Sequence, residues 1–328
     1  MRIPMNVLRW MIACLAPALP ALPASVLAQS FPVKPIRLVT QYAPGSSGDT
    51  SLRMIAPSIS QSLGQPLVIE NRAGAGGVLA AEQVLRAQPD GYTLVASSSA
   101  VYVLRPFLVK SNSFDPAKDF TPVTLYQEAI TVLVANAASG PNSLREMLDQ
   151  ARANPGKLAY GSSGIGTEGH LTGEEITELT GFKLTHVPYK ASAQALLDTV
   201  SGQLPMSFAI YAAALPFITS GKVRALAVVM DARTTRLPEV PAIAEVIPGF
   251  EAPPSWTGIF GPAGMPATLT RRIQSEFAKA AKDPETRANL IKGGFDVVAS
   301  TPEELATRMK REIALIARLV KAAGIKPE

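Results

Sequence analysis

Apolar runs of strand length alternate with stretches of helical period between residue 36 and about residue 230, an alternation that predicts strands joined by crossover helices. IRLVT at 36–40 reads as a strand. Beyond the GSSGD run, Leu52, Ile55, Ala56, Ile59 and Leu63 recur on one helical stripe, with Gly64 and Pro66 as the stop and Pro57 as an internal bend. PLVIE then predicts a strand, GGVLAAEQVLRA a helix and YTLVASSS a further strand after a PDG turn. Together these make a parallel βαβαβ unit. From Thr124 the pattern restarts: LYQEAITVLVANAA reads as one long extended segment, SLREMLDQARANPG as a helix and KLAYGSS as a strand. HLTGEEITELTG and ASAQALLDTVSG predict helices, and KLTHVPY, LPMSFAIY and KVRALAVVM predict strands. The proline- and glycine-rich stretch 232–266 carries Phe250, Trp256 and Phe260 as apolar anchors, so a path back to the first half is expected rather than a loose linker. Three helical patterns close the chain, the last opened by a capping box from Thr301 to Glu304. The expected organisation is α/β, with a first lobe over 29–125, a second over 126–250, and a return to the first lobe with C-terminal helices over 251–328.

Ahead of these lobes, Arg2 and Arg9 precede the apolar run WMIACLAPALPALPASVLA, which ends in small residues. That is the pattern of a secretory signal peptide, here 1–28 with cleavage expected after Ala28, and it implies an exported chain. Pro17, Pro20 and Pro23 break the run, leaving it too short for a bilayer-spanning helix, which needs about 20 apolar residues. The single cysteine, Cys14, falls inside the leader, so no disulfide or thiol chemistry is expected in the mature chain. A lipoprotein reading of MIAC is weaker, because so little chain precedes Cys14. The net charge of +5 is mild and its basic residues sit among acids, as in LREMLDQAR and EFAKAAKDPETR. Such interspersion marks solvated helix faces and speaks against nucleic-acid binding.

Two loops carry the candidate chemistry: YAPGSSGDT at 42–50 and YGSSGIGTEGH at 160–170 each leave a predicted strand and enter a predicted helix. A helix start presents unpaired N–H groups and the positive end of the peptide dipoles, so a Gly/Ser loop there suits an anionic group. Ser46, Ser47, Ser162, Ser163 and Thr167 fit either helix capping or ligand contact. The Asp49 carboxylate would repel an anion unless it is tied up capping the helix, which assigns it an organising role. His170 fits a ligand donor or a satisfied structural residue. Gly164, Gly166 and Gly169 spell G-x-G-x-x-G, but a dinucleotide site wants an acid about 20 residues on, at the end of the next strand. KLTHVPYK offers His186, Tyr189 and Lys190 there instead. A smaller anion is expected, with no cofactor and no metal ion. No G-x-S-x-G elbow or His-x-x-x-His spacing is present, and a hydrolase built from a loop serine and His170 is the lesser alternative.

The segments KPIRLVTQYAPGSSGDTSLRMIA, GQPLVIENRAGAGGVLAAEQV, PDGYTLVASSS, PGKLAYGSSGIGTEGHL, HVPYKASAQALLDTVSGQ and GPAGMP resemble, in order and spacing, the Bug-type receptors of tripartite tricarboxylate transporters. The likeness covers essentially the whole mature chain, and ENRAGAGG and HVPYK are its most specific parts. It implies a two-lobed, type II-like periplasmic binding protein with a ligand cleft between the lobes and a hinge of two crossing segments. It also implies a small carboxylate ligand held partly by backbone N–H groups and bridging waters, no enzymatic activity, and a monomeric receptor serving membrane permease subunits. A sensor that reports to a membrane kinase is the alternative role. The implied ligand-binding residues are Tyr42, Gly45, Ser46, Ser47, Gly48 and Asp49 on the first loop, and Ser97, Ser98 and Ser99 at the end of the third strand. On the second loop they are Ser162, Ser163, Gly164, Gly166, Thr167 and His170, with Tyr189 near the cleft rim. One departure concerns specificity. Relatives often carry an acid after the phenylalanine of the strand matching LPMSFAIY, whereas here Phe208 is followed by Ala209. A ligand ammonium buried beside Ala209 would lack a partner, so discrimination against amino acids is expected, in favour of uncharged-tail, dicarboxylic or aromatic acids.

Overall fold

The computed structural model describes residues 31–292 and 295–327, and the expected leader and its cleavage site lie outside them. The first part of the chain forms β1 (Ile36–Thr40), α1 (Ser47–Leu63), β2 (Leu67–Asn71), α2 (Val78–Leu85), β3 (Thr93–Ser98), the one-turn α3 (Arg105–Leu108) and β4 (Phe120–Glu128). The middle forms β5 (Thr131–Asn136), α4 (Leu144–Ala153), β6 (Ala159–Ser162), α5 (Glu168–Thr180), β7 (Thr185–Pro188) and α6 (Ser192–Ser201). It continues with β8 (Met206–Ile210), α7 (Tyr211–Thr219), β9 (Val223–Val228) and α8 (Ile243–Val246). The last part forms β10 (Trp256–Pro262), α9 (Ala267–Lys282), α10 (Pro284–Lys292), β11 (Asp296–Val297) and α11 (Pro302–Ala322).

These strands make two sheets, a six-stranded one in the order β11-β4-β10-β3-β1-β2 and a five-stranded one in the order β7-β6-β8-β5-β9. β1 runs parallel to β2 and β3, and β6 runs parallel to β7 and β8. In each sheet an antiparallel strand from elsewhere in the chain completes the set: β10 between β3 and β4, and β5 between β8 and β9. Both faces of the first sheet are covered, which is why its strands are nearly continuous apolar runs. Leu38 and Leu94 pack with Leu52, Ile55, Ile59 and Phe277 on the α1/α9 side. Their neighbours Val39 and Val95 pack with Val84, Tyr102, Phe260 and Ile316 on the α2/α11 side, as the two-residue period of a strand requires.

LYQEAITVLVANAA, expected as a single extended segment, is broken at Ala129 and Ile130 into β4 and β5, which belong to different sheets. The crossing therefore falls beyond residue 125. Tyr126 is fully buried in the first lobe, where its hydroxyl donates to Ser51 O at 2.9 Å, while Gln127 and Glu128 pair with β10 and β11. The chain returns through Pro253 and Pro254 to β10. Ala129 N–H donates to Ser255 O at 2.8 Å, so the two crossing segments are bonded side by side.

α11 spans both lobes. Its N-terminus carries the expected capping box between Thr301 and Glu304, and Leu305, Ile316 and Leu319 are buried in the first lobe; full burial of such side chains is worth roughly 1.5–3 kcal/mol each. Farther along, Arg318 reaches α5 of the second lobe, donating to Glu175 at 2.9 Å and to Glu178 at 2.6 Å. Leu171 of α5 joins the same apolar cluster. Among the described residues no helix is long and apolar enough to cross a membrane.

Candidate functional site

Both Gly/Ser loops sit where a parallel strand turns into a helix, β1 into α1 and β6 into α5, the position at which open α/β sheets bind ligands. In the first loop Ser46 occupies the N-cap position but makes no capping bond, and its Oγ has no partner among the described residues. Asp49 organises the loop instead. Its Oδ2 accepts from Gly45 N–H at 2.8 Å and from Arg53 Nε at 2.9 Å, and its Oδ1 accepts from Asn71 Nδ2 at 2.7 Å. Burial opposes its charge, but the Arg53, Asn71 and Gly45 donors prevail and hold the carboxyl below the usual range. Gly45 takes a left-handed φ of 78° to turn the chain. Gly48 is required for a different reason: a Cβ there would stand 2.6 Å from the Tyr42 ring. The Tyr42 hydroxyl shares a hydrogen bond with Thr257 Oγ1, and burial pushes it up to about 12.

The second loop is tied differently. Gly166 N–H donates to His170 Nδ1 at 3.0 Å, so that amide is already occupied. The His170 ring stacks on His186 with centroids 4.1 Å apart, and His186 Nε2 shares a 2.7 Å hydrogen bond with Ser162 Oγ. Burial, helped by the neighbouring His170, lowers His186 to about 4. Thr167 Oγ1 donates back to Gly164 O at 2.7 Å. The Ser162–His186 pair has the spacing of a nucleophile and base, but Ser162 is completely buried, so no substrate reaches its hydroxyl.

One cavity of about 480 Å³ lies between the loops. Tyr42, Ser47, Gly48, Ser98 and Ser99 line it from the first lobe, and Ser163, Gly166 and Thr167 from the second. The crossing segments supply its floor through Gln127, Ala129, Ser255, Trp256 and Thr257. The starts of α1 and α5 and the end of β3 are among the elements that line it, a setting suited to a small anion.

Nine of the expected ligand residues do not line this cavity. Gly45, Ser46 and Asp49 form the back of the first loop. Ser97 is buried with its hydroxyl donated to Gln41 Oε1, and Ser162 and Gly164 bond each other behind the second loop. His170 faces away, stacked on His186. The Tyr189 hydroxyl donates to Asp198 at 2.7 Å, which fixes it outside the cleft. Ala209 is 1% exposed, paired with Val132 in the second sheet and packed near Leu196 and Tyr211. A side chain at 209 points into a core, so it cannot face a ligand ammonium, and the specificity expected from that position loses its basis.

Two charged residues that sequence reasoning passed over do line the cavity, Arg105 on the first-lobe wall and Glu168 on the second. Arg105 begins the one-turn α3, with Nη1 passing close to Gly76, and makes no ion pair with a carboxylate among the described residues. Glu168, half-buried at the start of α5, accepts from Thr131 Oγ1 at 2.8 Å through Oε2. Burial pushes its carboxyl up to about 7, against the pull of the Thr131 and Ser255 hydroxyls. The signal in the sequence was the acid in GTEGH, an odd residue for an anion loop. No cluster of three or more His, Cys, Asp or Glu suited to a metal ion occurs among the described residues.

Residues 51–325 match the family model described as tripartite tricarboxylate transporter family receptor. The protein BugT of Bordetella pertussis is 32% identical over 305 residues, covering 92% of this chain and 93% of its own. Among solved structures, an R. palustris protein with adipate is 30% identical with a TM-score of 0.75, covering 91% of this chain and 100% of its own. MatC from Rhodopseudomonas palustris with bound malate is 31% identical with a TM-score of 0.68, covering 88% and 100%.

Proposed function

This chain belongs to the tripartite tricarboxylate transporter receptor family, whose relatives are solute-binding receptors rather than enzymes, and from that premise we propose that it captures a small organic carboxylate in the periplasm and hands it to the permease subunits of a tripartite transporter. The observation that carries the reading is convergence. Two helix starts, Ser47–Gly48 of the first lobe and Thr167–Glu168 of the second, border one cavity, and each turns the positive end of its helix dipole toward it. A ligand bridging them favours the closed arrangement, because only there do both lobes donate to it. The side-by-side crossing segments at Ala129 and Ser255 are the natural hinge. Ligands of the two R. palustris relatives, adipate and malate, are of the proposed class. Export by the N-terminal leader and action as a monomer complete the proposal.

A thermal-shift screen of the mature chain against small organic acids tests the binding step. Ligand at about 100 times its dissociation constant should stabilise by roughly 2.7 kcal/mol, and a library of acids without a single shift would sink the reading. Ligand-dependent co-purification with the permease subunits tests delivery.

A further inference from the structure

We infer that Glu168 selects the second functional group of the ligand: the acid held in this cavity carries, away from its carboxylate, an O–H or N–H that donates to Glu168 Oε1. The inference rests on the carboxylate-receptor reading and narrows it.

The cavity has two electrically distinct walls. On the first-lobe side, Arg105 stands without an ion-pair partner among the described residues and lines the cavity together with the start of α1 and the hydroxyl of Ser98, whereas the Ser99 hydroxyl is already donated to Pro254 O at 3.0 Å. Arg105, the α1 start and Ser98 suit a carboxylate, which an Arg guanidinium binds with directed donors. On the second-lobe side, Glu168 places an acid in the first turn of α5. Its Oε2 is bonded to Thr131, but Oε1 is a buried acceptor that makes no hydrogen bond of good geometry among the described residues, although the Ser255 hydroxyl lies near the carboxyl. A buried acceptor left unpaired is costly, and such a group in a native protein calls for a partner from outside the chain. The terminal torsion of a glutamate is soft, so a small turn brings Oε1 to a ligand. An ionised Glu168 repels a second carboxylate and rewards a donor, which is specificity by both attraction and exclusion.

The groups facing Glu168 are the Thr131 hydroxyl from β5, the Ser255 hydroxyl from the crossing segment, and, across the cavity, the Tyr42 phenol and Arg105 of α3. Guanidinium groups keep their charge in proteins, and burial has moved Tyr42 up to about 12. Glu168, pushed up to about 7 by burial, is thus the lining group that changes charge near neutral pH. Its acceptor form grows as pH rises.

Titration calorimetry on the mature chain with matched acids tests this. One series is butyrate, succinate, 4-hydroxybutyrate and 4-aminobutyrate; another is hexanoate, adipate, 6-hydroxyhexanoate and 6-aminohexanoate; a third is benzoate, terephthalate, 4-hydroxybenzoate and 4-aminobenzoate. In at least one series the hydroxy or amino acid should bind about tenfold or more tighter than both the plain acid and the diacid, the scale of one charge-assisted hydrogen bond. In the two aliphatic series the hydroxyl and amino arms distinguish a neutral from a cationic donor, and in the aromatic series, whose aryl amine is uncharged at these pH values, they compare O–H with N–H. The preference should be larger at pH 8 than at pH 6, should lose its pH dependence in Glu168→Gln, and should vanish in Glu168→Ala, with thermal unfolding confirming that both variants fold. Diacids binding tightest, with their advantage greatest at pH 6, would overturn the inference, as would a preference that survives Glu168→Ala. In either case acids still bind and the receptor reading stands. If no acid in any series binds the wild-type chain, that reading falls and this inference with it.

Discussion

The GSSG at 45–48 and the GSSG at 161–164 are identical in letters and both lie in strand-to-helix connections, the first running into α1 and the second leaving β6, and they leave different chemistry facing the cavity. In the first loop the nearby acid, Asp49, is turned inward and held by Gly45, Arg53 and Asn71, which lower its proton affinity and remove its charge from the ligand's path. In the second loop the nearby acid, Glu168, has one hydroxyl bonded to Oε2 and none in good geometry to Oε1, and its proton affinity is raised. The amides differ too, because His170 has taken Gly166 N–H. A helix-start loop is therefore defined less by its glycines and serines than by which of its polar groups the rest of the fold has already satisfied.

The largest effect that would sharpen this contrast is expected from Asp49→Ala. It strands Gly45 N–H and Asn71 Nδ2 in a site where the carboxylate is 2% exposed, and should cost about 2–4 kcal/mol in chemical denaturation. Because the folded carboxyl is depressed below 3.8, its contribution is present above that pH and is lost as pH falls through the lower folded value. A loss under 0.5 kcal/mol would show the loop to be held by something else.

Next in size is the difference between two glycines of the same loop. Gly48→Ala drives a Cβ into the Tyr42 ring at 2.6 Å and should cost roughly 1–3 kcal/mol by overpacking, together with ligand affinity. Gly45→Ala meets no atom within 4 Å and should cost only its left-handed φ, about 1–2 kcal/mol, with ligand affinity nearly kept. Equal losses of affinity would mean that the Tyr42 face is not part of the site.

The pH dependence of stability comes third. Glu168 and Glu175 are both raised to about 7, chiefly by burial, so between their unfolded values near 4.5 and 7 the folded chain holds more protons than the unfolded one. Stability contributed by the protonated forms is full below 4.5 and fades as pH rises through 7. Glu168→Gln should remove part of that fall, on the order of 1 kcal/mol between pH 5 and 8, measured by denaturant unfolding. His186, lowered to about 4, works the other way, its contribution fading as pH drops below 6.5, and an unchanged slope in Glu168→Gln would show that the carboxyl stays ionised throughout.

The smallest effect separates the two serines of the first loop. Ser46→Ala removes a hydroxyl that caps nothing and should change stability by less than about 0.5 kcal/mol, whereas a working N-cap would cost about 1 kcal/mol. Ser47→Ala should leave stability as unaffected but weaken ligand affinity a few-fold in calorimetry, since Ser47 lines the cavity.

Much of the fold was legible because it is written in local periods. The α1 stripe from Leu52 to Leu63, the strand runs IRLVT and YTLVASSS, and the Thr301–Glu304 box each stand as the pattern implies. The break at Ala129 was not legible, since β4 and β5 are both apolar and extended, and only their partners, β10 and β8, assign them to different sheets. In the site, the pattern marked the two loops but not which side chains face the ligand. Arg105 lies on a turn with no motif, and Ala209 lies on a strand whose inward face depends on register.

Sequence alone determined the alternation of strands and helices, the two glycine-serine turns and the family likeness, because each depends on the order and spacing of residues along the chain. Tertiary structure decided that Asp49 is locked away while Glu168 stays beside the cavity, that His170 takes an amide of the second loop, and that Arg105 joins the opposite wall. The reason is physical: hydrogen-bond satisfaction and burial are set by groups distant in the chain, such as Asn71 for Asp49 and Thr131 for Glu168, and no local pattern records which distant group arrives.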